Sequence, residues 1–302
     1  MPGISTSVCG IKLQNPLILA SGIRGNSAHL LIRAAKEGAG AVTSKSCSLL
    51  PREGHANPTM VDRNGVMLNA IGLSNPGIDE EIGEIKQAVK EAGVPIIASI
   101  VAFSVEDFAK MAERISEAKP HMIEVDASCP NVENGGKMFS SYAEDAVAVT
   151  EAIRAATKLP FSMKLSPDVP NIGEIAKGCV DAGADCITAV NTIGGMYVDA
   201  YAKKAVLHNW SGGVSGPAIK PVALKSVYSI RQAIGTTAPI IGTGGVATGL
   251  DAIEMIMAGA TAVGVGSAVV LRKNAFADIA GEMRSFMDEN GYGNLSQLKL
   301  EK

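Results

Sequence analysis

Short apolar runs recur along the chain with longer amphipathic stretches between them, the pattern of parallel strands buried on both faces and separated by helices. Eight runs read as strands: Pro16–Ser21, Ala39–Lys45, Pro95–Val101, Met122–Ser128, Pro160–Leu165, Cys186–Asn191, Pro239–Gly244 and Ala262–Val269. Four follow a helix end that closes on glycine, at Lys36-Glu37-Gly38, Glu91-Ala92-Gly93, Asp181-Ala182-Gly183 and Met257-Ala258-Gly259. Glycine there supplies the left-handed residue that stops a helix before the next strand. Eight strands alternating with helices predict an α/β fold, a (β/α)8 barrel spanning 1–302 as a single domain. The segment Ser7–Leu13 predicts a small hairpin that closes the bottom of that barrel. Two connections are long, 46–79 after the second strand and 192–220 after the sixth. Loops that follow strands build the active-site face of this fold, so both are expected to wall and cover a site.

Composition adds exclusions. A net charge of −3 gives no general attraction to nucleic acid or to an anionic membrane. No apolar stretch approaches the roughly 20 residues of a membrane span, and Met-Pro-Gly-Ile-Ser-Thr-Ser at the start lacks the basic and apolar runs of a signal peptide. A cytoplasmic protein without a membrane-anchoring extension is therefore expected. The 5 cysteines form no C-x-x-C pair, which fits free thiols in a reducing compartment and argues against an Fe–S cluster or other metal site in this chain.

Candidate chemistry gathers at the strand ends. The seventh strand ends in Gly242-Thr243-Gly244-Gly245 and the eighth carries Gly264-Val265-Gly266-Ser267. Such turns let backbone N–H groups approach a phosphate. One turn alone could be mere tight geometry; two on the last two strands point to a phosphate-bearing ligand. The fourth strand runs into Asp126-Ala127-Ser128-Cys129-Pro130-Asn131, placing a cysteine just past a strand end. Cys129 could act as nucleophile, metal ligand or general base, or simply cap the strand. Lys164 lies within an apolar strand and asks for an anion, which a reduced flavin would offer; Lys45 poses the same question, with a snorkelling rim amine the plainer alternative. Asn69, Asn131 and Asn191 bring amides to the same rim, suited to a small ring bearing N–H and C=O groups.

These residues resemble the class 1 dihydroorotate dehydrogenases. The matching pieces run in family order through nearly the whole chain: Leu19-Ala20-Ser21-Gly22, Thr43-Ser44-Lys45-Ser46, the stretch from Asn69 to Gly77, Ser128-Cys129-Pro130-Asn131, Met163-Lys164-Leu165-Ser166, Val190-Asn191-Thr192, the stretch from Gly213 to Pro217, Gly244-Gly245 and Gly266-Ser267. The resemblance implies that Cys129 removes the C5 proton of dihydroorotate while a hydride passes from C6 to N5 of FMN, with Lys164 stabilising the reduced flavin. It implies FMN contacts at Ser21, Lys45, Ser46, Ser99, Asp126, Lys164, Val190, Gly216, Gly244, Gly245, Gly266 and Ser267. Substrate contacts are implied at Lys45, Asn69, Ile71, Gly72, Leu73, Asp126, Asn131, Asn191 and Thr192. A homodimer is common in the family, and some members pair with a subunit carrying FAD and an Fe–S cluster that passes electrons to NAD; others use fumarate.

Two positions depart from the family pattern, Asp126 and Ser99, where asparagine is usual. A carboxylate at 126 offers only acceptors and adds negative charge where an anionic substrate would lie. A neutral dihydropyrimidine or an enoate-like compound is therefore the alternative substrate, and a redox-inactive, phosphate-binding barrel is the alternative class.

Overall fold

A computed structural model describes residues 2–128 and 138–301. Eight parallel strands close into a barrel in chain order: β1 (Leu17–Leu19), β2 (Ala41–Thr43), β3 (Ile96–Ile100), β4 (Met122–Asp126), β5 (Phe161–Leu165), β6 (Cys186–Ala189), β7 (Ile240–Thr243) and β8 (Ala262–Val265). The helices between them are α1 (Ala28–Lys36), α2 (Ile78–Glu91), α3 (Val105–Ser116), α4 (Ala143–Ala156), α5 (Ile172–Asp181), α6 (Lys220–Ile234) and α7 (Gly249–Met257), with α8 (Ala275–Glu289) after the last strand. The four helix-stopping glycines adopt φ of 103°, 71°, 109° and 119° at Gly38, Gly93, Gly183 and Gly259, as expected.

Alternation along each strand separates two cores. Residues facing outward pack under the helices, as Val125, Phe161, Met163, Ile187 and Val263 do. Those facing inward at the base form a second cluster of Ile18, Ala41, Ile97, Met122, Cys186, Ile241 and Ala262. The expected hairpin closes it from below: Thr6–Val8 pairs antiparallel with Ile11–Leu13, and Val8 and Leu13 are buried against that cluster. Two residues further along each strand the interior turns polar, with Thr43, Ser99, Glu124, Ser162, Thr188 and Thr243. Charge appears one layer higher, where Asp126 stands opposite Lys164 in the β4–β5 register. The barrel thus grades from apolar at its base to charged at the mouth.

Three expectations need correction. The eighth run does not remain extended to Val269: Ser267 takes helical angles, φ −52° and ψ −31°, and Ala268–Leu271 forms a short helix. The other runs are trimmed by one or two residues at one or both ends, where the chain leaves the strand ladder for the adjoining turns. The two long connections are not plain loops. Met60–Arg63, Val66–Asn69, Gly212–Ser215 and Ile193–Gly195 pair into one antiparallel sheet, so the connections after β2 and β6 meet above the barrel. Glycine at 194, 195, 212 and 213 hid these strands, since it carries no alternation to read.

Candidate active site

Lys164 reaches the mouth from β5 and is 7% exposed. Its Nζ donates to Ser21 Oγ at 2.7 Å and lies 3.6 Å from Glu124 Oε1. A buried ammonium is tolerable when a carboxylate and a hydroxyl share its charge. The anion that Lys164 required is thus partly supplied by the chain, from a residue the sequence reading passed over. A polar residue at an inward position two before Asp126 was the available signal.

Glu124 anchors a wider buried network. Ser99 Oγ donates to Glu124 Oε1 at 3.2 Å and shares a 2.9 Å hydrogen bond with Ser46 Oγ, while Ser99 N donates to Ser44 Oγ at 3.2 Å. Ser46 and Ser99, both expected at the flavin, are brought together, with Ser99 fully buried behind Ser46. Next to them Thr188 Oγ1 donates to Ser162 Oγ at 3.0 Å. Ile18, Ala20, Ser21, Thr43, Glu124, Lys164, Thr188, Ile241, Thr243 and Gly264 line a small cavity beneath the mouth.

Asp126 ends β4 and is 5% exposed. Its Oδ1 accepts from Ser128 Oγ at 2.6 Å, Ser128 N at 3.2 Å and Asn191 Nδ2 at 3.4 Å. Asn191 also donates to Ser128 Oγ at 2.6 Å and accepts from Thr192 N at 2.8 Å through Oδ1. Three donors therefore meet the carboxylate at the position where its negative charge was expected to stand against an anionic substrate. Asp126, Asn191 and Thr192 are thus brought together by hydrogen bonds. Cys129 and Asn131 lie outside the described residues.

The remaining candidates stand around this centre. Val190, buried, donates its N–H to Thr243 O at 2.8 Å and ties β6 to β7. Lys45 is partly buried at the end of β2, its backbone N–H held by Gly25 O at 2.9 Å. Asn69 Nδ2 donates to Gly213 O at 3.3 Å, stitching the sheet over the mouth. Behind it Ile71 O accepts from His55 N at 3.0 Å, and Gly72 and Leu73 follow with φ of 78° and 58°. Gly216 stands apart from the phosphate turns: a Cβ there would lie 2.6 Å from Gly65 O, so its requirement is close approach to the overlying sheet.

The glycine turns of β7 and β8 differ in how closely they are packed. Gly245 has φ of 77°, and a Cβ on it would lie 2.7 Å from Lys220 N. At Gly266, by contrast, the nearest atom to a Cβ would be Ala20 Cβ at 3.8 Å, so that glycine keeps open the space between β1 and β8. The β7 turn is fixed from behind by Asp251, whose Oδ2 accepts from Ala247 N at 2.9 Å, Thr248 N at 2.8 Å and Thr248 Oγ1 at 2.9 Å. Lys220 Nζ reaches Asp251 Oδ1 at 2.6 Å. With Gly244, Gly245, Gly266 and Ser267, the mouth pairs an open, glycine-lined turn with a buried lysine, a donor set that fits a phosphate at one end and an electron-rich ring at the other.

Reactive alternatives elsewhere are poor. Cys9, Cys47, Cys179 and Cys186 are free thiols. Burial pushes Cys179 up to about 11 and raises Cys47 and Cys186 well above the ordinary thiol range, so these three are not ready thiolates at neutral pH. Among the described residues no three His, Cys, Asp or Glu side chains group to hold a metal ion, and no helix is long and apolar enough to cross a membrane.

Fold and site together define a (β/α)8 barrel with glycine turns on its last two strands and a buried lysine at the mouth. Residues 3–287 match the family model described as dihydroorotate dehydrogenase, and the chain belongs to that family. It is 40% identical over 299 residues, 98% of this chain and 97% of the relative, to the dihydroorotate dehydrogenase B (NAD(+)) catalytic subunit of Geotalea uraniireducens. The protein of the same description from Methanocaldococcus jannaschii is 43% identical over 290 residues, covering 95% and 94% of the two chains. The crystal structure of the Eimeria tenella enzyme in complex with ferulenol shares the fold, with a TM-score of 0.85 at 19% identity, over 99% of this chain and 88% of that one.

Proposed function

We propose that this chain is the catalytic subunit of a class 1, B-type dihydroorotate dehydrogenase: it holds FMN at the barrel mouth and oxidises dihydroorotate to orotate in pyrimidine biosynthesis. The observation that carries the reading is the Lys164–Ser21–Glu124 cluster, a buried cation shared between a hydroxyl and a carboxylate beside a glycine-built anion cradle. Bound there, FMN supplies hydride acceptance. The β7 and β8 turns at Gly244, Gly245, Gly266 and Ser267 would hold its phosphate, while Ser21, Lys45, Ser46 and Lys164 would face the ring.

Each chain residue then has a defined task. Lys164 presents positive charge toward the pyrimidine edge of the ring, where reduction places negative charge. Asp126, Ser128 and Asn191 form a fixed hydrogen-bonded triad that sets the Asn191 amide, whose Oδ1 would offer its second acceptor position to the substrate ring beside Thr192. Cys129, directly after Ser128 in sequence, takes the C5 proton, and Lys45 meets the substrate carboxylate. The relatives' description as a catalytic subunit supports a second, electron-transferring subunit, for which FAD and an Fe–S cluster are the carriers we propose. Exposed Met196, Val198, Tyr201 and Trp210 on the connection after β6 support association with another protein surface; a homodimer is the second assembly we propose.

Cys129→Ser tests the assignment of the base. A hydroxyl gives up its proton at higher pH than a thiol, so flavin reduction by dihydroorotate slows and its pH optimum rises, with FMN retained in full. Loss of FMN with no change in the pH dependence of the residual rate overturns the role given to Cys129.

A further inference from the structure

Behind the wall that carries Lys45 sits a carboxyl group with no evident structural task. Glu81, in the first turn of α2, is 1% exposed, and among the described residues neither of its oxygens makes a hydrogen bond of good geometry. The groups facing it are the Ser44 hydroxyl, Lys45 and Cys47 at the end of β2, with Glu84 one turn along its own helix. Glu84 is engaged elsewhere, accepting from Ala28 N at the start of α1.

Ser44 is the hinge of this arrangement. Its hydroxyl accepts from Ser99 N at 3.2 Å and donates to Lys45 O at 3.3 Å. Through Ser99 the same group joins the network of Ser46, Glu124 and Lys164. A neutral Glu81 can stay buried at modest cost, whereas the ionised form must recruit donors. The donor within reach is Ser44 Oγ–H, which would turn away from Lys45 O, while the Lys45 charge acts from further off.

We propose that Glu81 is a positioning residue for Lys45, acting through Ser44 to set how the Ser44–Ser46 segment presents that lysine to the bound anion. The claim that Lys45 meets substrate rests on the function proposed above; the claim that Glu81 governs the segment does not. Burial, with the nearby Glu84 charge adding to it, outweighs the pull of the Ser44 hydroxyl and of the Lys45 charge and holds Glu81 up at about 7. The arrangement therefore changes within the neutral range: ionisation turns the Ser44 hydroxyl toward Glu81 and sets a second negative charge near Lys45.

The holoprotein and its Glu81→Gln variant are compared by amide hydrogen exchange of the peptide spanning Ala41–Cys47, corrected for intrinsic rates, at about pH 6 and about pH 8. The native protein is expected to change protection between the two, and the variant to hold one value. Ser44→Ala, which removes the connecting hydroxyl, is expected to lose the step as well and serves if Glu81→Gln does not fold. Identical pH responses in native protein and variants overturn the proposal. Orotate binding, followed through the flavin spectrum, gives the functional reading: the native Kd rises by about tenfold across the same interval while that of Glu81→Gln stays flat. A flat native profile together with the exchange step would remove Lys45 from the substrate and leave Glu81 in place; no orotate binding at either pH would count against the substrate alone.

Discussion

At the residue scale, the site is defined by how its charges are matched. Lys164 and Glu124 are both nearly enclosed, so removing one leaves the other buried without its partner, which costs about 3–5 kcal/mol, whereas removing both can be near neutral. Lys164→Met should therefore be strongly destabilised, and Lys164→Met with Glu124→Gln less so than the sum of the single changes, as read by denaturant unfolding. Both variants should also reduce the flavin slowly. Additive losses would show that the pair does not interact.

Glu81 gives a second residue-scale prediction with a definite sign. Its carboxyl titrates near 7 in the folded chain and in the ordinary carboxylate range when unfolded, so the folded state holds the extra proton between those values. Its contribution is fully present below the unfolded value and is lost as pH rises through about 7. Glu81→Gln should then gain stability on the native protein at alkaline pH, by roughly 2–3 kcal/mol, and lose that advantage in acid. Thermal melting of the two proteins across the range checks this. At this scale the sequence revealed Lys164, Lys45 and Asp126, because a charge inside an apolar run stands out. It concealed Glu124, Ser44 and Glu81, whose roles depend on which strand lies beside which.

At the element scale, the β7 turn and the start of α7 act as one unit. Asp251 satisfies the N–H groups of Ala247 and Thr248 and accepts from Lys220, and salt-bridge and hydrogen-bond partners hold its carboxyl below the usual range despite partial burial. Asp251→Ala removes the N3 arm of the Thr248 capping box and should cost about 1–2 kcal/mol. The same change releases FMN more readily by loosening the turn, measured as flavin retained through gel filtration. Gly245→Val should do so more severely, because its side chain meets the Lys220 backbone. Retention of FMN by Gly245→Val would place the phosphate elsewhere. Glycine pairs, helix stops and the buried strands were all legible in the sequence, since each is a local requirement. The antiparallel sheet over the mouth was not: Gly194, Gly195, Gly212 and Gly213 pair across a separation in sequence that no local pattern reports.

At the scale of the whole molecule, the interior gradient explains why the barrel can be both stable and reactive. Its base is closed by the hairpin and packed with aliphatic side chains, while most strands hand over to polar side chains above it, with Glu124, Asp126 and Lys164 bringing charge on β4 and β5. The two connections after β2 and β6 meet over that mouth through the Asn69–Gly213 register. The substrate contacts proposed at Asn69 and at Asn191 and Thr192 therefore lie on neighbouring parts of one overlying layer, although they are far apart in sequence.

One spectroscopic titration tests whether this barrel binds FMN and accepts a hydride from dihydroorotate. The purified protein should show a flavin spectrum that bleaches when dihydroorotate is added in the absence of oxygen and stays unchanged with dihydrouracil. Bleaching by dihydrouracil and not by dihydroorotate would contradict the assigned substrate, and the absence of any flavin spectrum would contradict the redox assignment itself.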